Sequence, residues 1–255
     1  MQGRNDLCYK GGMTEGGAWR LKMLGAAAMV VLAVWAEGCS GLPERLAGVP
    51  EGDAAARRGI KKLAVVGFLV HYDLGPHVDV STEFAPGSHR QAVVEFMFDS
   101  FVAELEASTG FKLVRPSAVR ASDFYGNMEV NPDPRSRLSS TCPAGYRKIA
   151  PQDDYDCSGL ARALGVDGLV LFEFDYRVTS GAFTRAARIE RGTLVAVTDA
   201  GRAGYRRRDF SLGSGRRYFA DYAWLRIRSI RQEMHCLGAV VREVARDFVA
   251  AFAPG

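Results

Sequence analysis

The alternation of apolar and polar residues is clearest in residues 158–178. A helical apolar stripe ends at Gly165, a residue type that commonly stops helices, and a strand follows it. One face of this strand is apolar throughout: Val170, Phe172, Phe174, Tyr176 and Val178. The other face starts with leucines and ends with charged residues: Leu169, Leu171, Glu173, Asp175 and Arg177. This pattern predicts a central strand that is buried on both sides at its start and exposed on one side at its end.

The same reading predicts the other elements of an α/β fold. They are, in order, a strand at 63–70, a helix from Ser88 to Gly110, a strand at 111–115, a short helix from Pro116, and a hairpin of 188–198 and 205–210. A final helix carries one apolar face: Leu237, Val240, Val241, Val244, Phe248 and Phe252. We therefore predict a single α/β domain, residues 59–255, whose mixed sheet is flanked by helices.

Residues 125–157 differ from the rest of this domain, because they are rich in turn-forming residues and show little periodicity. This composition predicts a surface insertion that is poorly stabilised by its own packing. Cys142 and Cys157 bracket its second half, and in an exported protein we expect them to form a disulfide. Such a bond closes a loop of about 15 residues and contributes about 3 kcal/mol. Two unrelated thiols are the alternative, and Cys236 is expected to be buried on the last helix.

The N-terminal residues predict export. Arg20 and Lys22 precede an apolar run at 23–36, which is shorter than the roughly 20 residues that span a bilayer. A glycine and Cys39 follow the run, and this arrangement resembles the lipobox of bacterial lipoproteins. In that family the cysteine is lipidated and becomes the new N-terminus. Ala36 and Glu37 depart from the usual lipobox, so a plain signal peptide and an uncleaved anchor remain alternatives.

The resemblance to lipoproteins implies two segments before the α/β domain. Residues 1–38 are the signal peptide, although translation starting at Met13 or Met23 would shorten it. Residues 39–58 are a lipid-anchored tether rich in Gly, Pro, Ala and charge. Ser40 stands where an aspartate would retain a lipoprotein in the inner membrane of enteric bacteria. The implied location is therefore the outer membrane, facing the periplasm.

Three stretches carry a further resemblance, at 63–68, 163–171 and 199–201. They are similar to the periplasmic lipoprotein domains of the curli-secretion channel protein, of the lipoprotein activators of penicillin-binding proteins, and of the TolB N-terminal domain. The resemblance implies an envelope assembly, secretion or regulatory protein that binds a protein partner and is not an enzyme. No cofactor is expected, because the P-loop, the dinucleotide fingerprint and the nucleophile elbow are all missing from the sequence.

A histidine- and aspartate-rich loop supports an alternative function. His71, Asp73, His77 and Asp79 directly follow the first predicted strand, at the end where α/β folds place their sites. Imidazole and carboxylate groups bind divalent metals, so a periplasmic metal-dependent hydrolase is the alternative. A polar surface loop without metal is the reading that we favour.

Nine arginines lie between positions 202 and 231, interleaved with aromatic residues. Five of them are the candidate surface for an anionic partner: Arg206, Arg207, Arg208, Arg216 and Arg217. Guanidinium groups suit lipid headgroups, lipopolysaccharide and acidic protein surfaces. A net charge of +4 does not by itself indicate nucleic acid, and export argues against it. The alternative is a solvated face whose aromatic residues pack beneath it.

Overall fold

The secondary structure follows the apolar periodicity of the sequence closely. The computed structural model describes residues 46, 50–72, 86–132, 140–180, 184–214, 217–218 and 230–253. In chain order the elements are α1 (Ala54–Gly59), β1 (Lys62–Tyr72), α2 (Pro86–Glu106), β2 (Lys112–Leu113), α3 (Pro116–Arg120), α4 (Asp123–Asn127), β3 (Val130–Asn131), β4 (Ser140–Thr141), β5 (Asp154–Tyr155), α5 (Cys157–Leu164), β6 (Gly168–Ser180), β7 (Thr184–Thr198), β8 (Ala203–Gly213), β9 (Arg217–Tyr218) and α6 (Ile230–Ala251).

A mixed sheet forms the centre of the domain. Its strand order is β2-β1-β6-β7-β8, while β4 also pairs with β1 and β9 with β7. The pairs β1–β6 and β1–β2 are parallel, whereas β6–β7 and β7–β8 are antiparallel. A mixed sheet flanked by helices was predicted from the sequence, and the prediction is confirmed. The small pair β3–β5 lies outside this sheet.

Strand β6 has the two faces that its alternation predicts. Phe172 and Phe174 are buried on the apolar face, and Glu173 on the opposite face is partly exposed. Phe68 of β1 contacts both phenylalanines, with ring centroids 5.5 and 5.6 Å away. Because these aromatic residues fill one side of the central strands, that side is the core of the domain.

Helices α2 and α6 cover this apolar face. Phe101 of α2 lies 5.3 Å from the Phe172 ring, and Phe248 of α6 lies 4.9 Å from the Tyr205 ring on β8. The two helices approach closely because Gly238 has no side chain: a Cβ there would lie 2.6 Å from the Phe96 ring. The predicted apolar face of the last helix is confirmed, since five of its six residues are fully buried and Phe252 is partly buried.

Residues 116–132 and 140–157, here called the wrap segment, pack around the outer edge of β1. Strands β2 and β4 pair with the two ends of this edge, and Tyr125 fills the gap between them. The Tyr125 hydroxyl donates to the Val66 carbonyl at 2.9 Å and accepts from the Arg147 N–H at 2.9 Å. Gly67 leaves room for the Ile149 carbonyl, which a Cβ would displace.

The wrap segment corrects two expectations. Tyr125, Tyr146 and Ile149 belong to the main core, so the described parts of the predicted insertion, 125–132 and 140–157, are packed rather than a loose surface loop. Its cysteines are free thiols, and the expected bond between Cys142 and Cys157 is wrong. Cys142 instead donates from its Sγ to the Tyr146 carbonyl at 3.3 Å, while Cys157 begins α5. Packing and hydrogen bonds therefore hold the segment.

The N-terminal boundary of the domain also differs from the expectation. Residues 50–58 were assigned to the tether, but Asp53 caps helix α1 and Ala56 is buried. Glu51 forms an antiparallel bridge with Arg206 on β8, and Leu46 packs against the core. The expected signal peptide and Cys39 lie outside the described residues. Among those that are described, no helix combines the length and apolarity needed to cross a membrane.

Candidate functional site at the carboxyl ends of the central strands

Polar side chains gather where the parallel strands β1 and β6 end. His71 of β1 and Glu173 of β6 lie on the side of the sheet opposite α2 and α6. The His71 Nε2 lies 2.8 Å from Glu173 Oε1, and the imidazole N–H donates to the carboxylate. Their side chains are 14% and 15% exposed. The pair is therefore largely shielded from water yet still reachable from the surface.

An ion pair extends this polar group onto the next strand. Register places His71 opposite Asp175, and Asp175 opposite Arg191 on β7. The Arg191 guanidinium donates to Asp175 Oδ2 at 2.9 Å. Because Arg191 is 69% exposed, this pair contributes at most about 1 kcal/mol to stability. Breaking this ion pair so that either side chain can bind another charged group therefore costs little free energy.

Ser140 completes the group from the other side of β1. Strand β4 runs antiparallel to β1 and places Ser140 opposite His71. Ser140 is 5% exposed, and its Oγ has no hydrogen-bond partner within the described structure. We call Ser140, His71, Glu173, Asp175 and Arg191 the polar cluster. The cluster offers hydrogen-bond donors, acceptors and both signs of charge at one end of the sheet.

Sequence reasoning found part of this cluster. It placed His71 in the loop directly after the predicted strand 63–70, whereas β1 includes His71, and it placed Glu173 and Asp175 on the exposed face of the central strand. It missed Ser140 and Arg191, because their positions depend on strand register, which the alternation of single strands does not reveal. Arg191 lies within the predicted strand at 188–198, but its neighbours Glu190 and Gly192 give no alternation that would indicate its face.

Only one of the four predicted metal-binding residues lies in the part of the chain that the structure describes. His71 is described and pairs with Glu173, whereas Asp73, His77 and Asp79 lie outside the described residues. Across the part of the chain that the structure describes, no three His, Cys, Asp or Glu side chains are placed to hold a metal ion. His71 instead contacts the Glu173 carboxylate of β6, a pairing that the sequence did not indicate.

The candidate arginine surface is divided by the alternation of β8. Arg206 is half-buried and Arg208 is exposed. The side chain of Arg207 between them is only 6% exposed and points toward α6. Arg207 donates to Asp247 Oδ1 at 3.1 Å, so including it in an anion-binding surface was wrong. The physical reason is that it shares a strand face with buried Tyr205.

The buried guanidinium of Arg207 belongs to a small polar network with Asp247 and Tyr205. The Tyr205 hydroxyl donates to Asp247 Oδ2 at 2.8 Å, and burial followed by the nearby Asp247 carboxylate raises the pKa of Tyr205. Tyr205 is therefore a protonated donor at neutral pH.

The last two predicted arginines cannot be placed on this surface. Arg216 lies outside the described residues, as does the side chain of Arg217 on β9.

The two thiols of the wrap segment, Cys142 and Cys157, have pKa values raised by burial, which disfavours the reactive thiolate.

Comparison with known proteins gives no assignment. No protein-family model matches the chain, and no match was found among the curated proteins.

Proposed function

We propose that this protein is a non-enzymatic, lipid-anchored envelope protein that binds a protein partner through the polar cluster. The predicted signal peptide and Cys39 support the anchor and an outer-membrane location facing the periplasm. The similarity to envelope lipoprotein domains supports an accessory role in assembly, secretion or regulation. Cleavage before Cys39 and acyl chains on its sulfur and amine are the expected state of the mature N-terminus, which mass spectrometry measures.

The observation that carries the partner-binding proposal is the pairing of His71 with Glu173 beside Asp175 and Arg191. The His71–Glu173 pair is largely shielded from water, whereas Arg191 beside it is 69% exposed. Shielded charges lose less solvation when a partner covers them, and exposed charges around them direct its approach. The expected partner surface therefore presents complementary charged groups.

A photo-crosslinking residue at position 191 in the full chain tests this proposal in intact cells. We expect it to capture one envelope protein, whereas the same residue at position 115, on the opposite edge of the sheet, does not. Arg191→Glu should then lower the affinity for the purified partner about tenfold, because it places two carboxylates side by side. The matched variant Arg115→Glu, also exposed, should leave the affinity unchanged.

Two results would contradict the proposal. One is equal capture from positions 191 and 115. The other is a stoichiometric divalent metal that is lost on His71→Ala, which would favour the metal-dependent hydrolase that the loop at 71–79 suggested.

A further inference from the structure

The chain enters the α/β domain along the outer edge of β8. The Glu51 N–H donates to the Arg206 carbonyl at 2.8 Å, and the Arg206 N–H donates to the Glu51 carbonyl at 2.7 Å. Upstream of this bridge, Leu46 already packs against the core. The polypeptide is therefore attached to β8 at Glu51, and it already contacts the core at Leu46.

The distance between this attachment and the proposed anchor is short. Cys39 precedes Leu46 by seven positions, which a fully extended chain spans in about 25 Å. Five strands spaced about 4.8 Å apart make a sheet about 20 Å wide. A lipid attached at Cys39 thus keeps Leu46 within about 25 Å of the bilayer, a reach comparable to the width of the sheet, and surface charge then selects the edge that faces the membrane.

Residues 50–58 and 202–209, here called the entry edge, carry an excess of positive charge. Its arginines outside the core are Arg57, Arg58, Arg202, Arg206 and Arg208, and its carboxylates are Glu51, Asp53 and Asp209. Arg58, Arg202 and Arg208 are exposed, and Arg202 lies 3.9 Å from Asp53. Asp53 is engaged by the N–H groups at the start of α1, which lower its pKa. The guanidinium groups can pair with phosphate in two-point hydrogen bonds.

We propose that the entry edge faces the membrane and binds the headgroups of anionic phospholipids, mainly through Arg58, Arg202 and Arg208. This inference rests on the lipid anchor of the proposed function. Each arginine held near an anionic bilayer increases membrane association about fivefold. Four of the five polar-cluster residues lie on β4, β1 and β6, at least two strands or about 10 Å across the sheet from β8, whereas Arg191 lies on the adjacent strand β7.

Position-specific quenching tests this orientation. The full chain is purified from bacterial membranes and reconstituted in vesicles of phosphatidylethanolamine and phosphatidylglycerol that carry nitroxide headgroups. A fluorophore is attached at Ala55→Cys or at Ala118→Cys, with Cys142 and Cys157 replaced by serine and buried Cys236 kept. Both alanines are exposed in short helices; Ala55 lies on the entry edge, and Ala118 lies on α3, which follows β2 on the opposite edge. We expect several-fold stronger quenching at position 55, and equal or stronger quenching at position 118 would overturn the proposal.

Two matched double variants test how much the arginine charges contribute to membrane contact. Arg202→Glu with Arg208→Glu should reduce quenching at position 55, and so should vesicles of phosphatidylcholine alone. Lys112→Glu with Arg115→Glu makes the same change on the β2 edge and should have no effect. An equal effect of the two pairs would overturn the headgroup contact. The mass of the N-terminal peptide is measured on the same sample: a chain without acyl groups contradicts the anchor and this inference with it, whereas equal quenching of an acylated chain contradicts the orientation alone.

Discussion

The two helices over the sheet and the wrap segment stabilise opposite parts of β1 by different means. Helices α2 and α6 cover the apolar face with large side chains, and four aromatic rings surround Phe68 at centroid distances of 5.4–5.8 Å. The wrap segment instead satisfies single backbone groups of β1, as the Tyr125 hydroxyl does for Val66. The comparison shows that aromatic burial stabilises one side, whereas the other combines burial with hydrogen bonds to single backbone groups of β1.

The largest effect should come from the aromatic side of this comparison. Phe68→Ala removes a fully buried ring and leaves a cavity between rigid neighbours, so we expect the free energy of unfolding to fall by about 3–5 kcal/mol. Urea denaturation followed by circular dichroism measures this change. Phe68→Leu, which keeps most of the volume, should cost about 1 kcal/mol. A loss below that value for alanine would show that the aromatic cluster is not the centre of stability.

An intermediate effect distinguishes two buried tyrosines of the wrap segment. Tyr125→Phe leaves the Val66 carbonyl and the Arg147 N–H without their partner, and should cost about 1–3 kcal/mol. Tyr146→Phe removes a hydroxyl that has no hydrogen-bond partner within the described structure, so its cost should be near zero or negative. The same urea titrations compare the two variants. Equal losses would contradict the hydrogen-bonding role of Tyr125.

A smaller effect is expected where α2 meets the wrap segment. Burial, followed by repulsion from Glu95, raises the pKa of Asp99 above its ordinary value. The folded protein therefore holds this proton more tightly than the unfolded chain does. Its stabilising contribution is present below the unfolded pKa and is lost as the pH rises through the higher folded pKa. Asp99→Asn should remove this loss and raise stability slightly at neutral pH.

Denaturation of the Asp99→Asn and parent proteins at mildly acidic and neutral pH measures the difference. Because the burial of Asp99 is only partial and its side chain remains in contact with water, the gain should be no more than a few tenths of a kcal/mol. A parent protein that gains stability relative to Asp99→Asn as the pH rises would contradict the sign.

The smallest effect concerns the thiols of the wrap segment. Since Cys142 and Cys157 are free, a reductant should leave the urea midpoint unchanged. Peptide mapping of protein alkylated before denaturant and without reductant should recover both cysteines unpaired. A midpoint that falls on reduction would show that a covalent link contributes to this region.

Periodicity predicted the regular elements well, because strand and helix faces are local patterns. Strand β6, the hairpin β7–β8 and the buried face of α6 were all found in this way. The packing of Tyr146 and Ile149 was missed, since they lie in a stretch without a period and contact elements distant in sequence. The burial of Arg207 had a local signal, because it alternates in phase with Tyr205, but the charge of a three-arginine run obscured it.

The polar cluster was harder to predict than the core. Its members come from four strands, and they meet because β1 and β6 are parallel with His71 in register with Asp175. A shift of one residue would turn Glu173 toward the helices. Register depends on how all the strands pack together, so a single sequence indicates the type of side chain at such a site but not its neighbours.

The parallel pairing of β1 with β6 also has a consequence for the order of folding. Leu63 pairs with Gly168, 105 positions along the chain, whereas β6, β7 and β8 follow one another closely in the sequence. Closing the long loop costs more chain entropy than forming the local meander, so we expect the meander to form first and β1 to join late. Val195→Ala on β7 should then slow refolding, and Val65→Ala on β1 should mainly speed unfolding, which stopped-flow kinetics measures. Since β1 is synthesised first, its apolar strand must wait for the rest of the chain before it is covered.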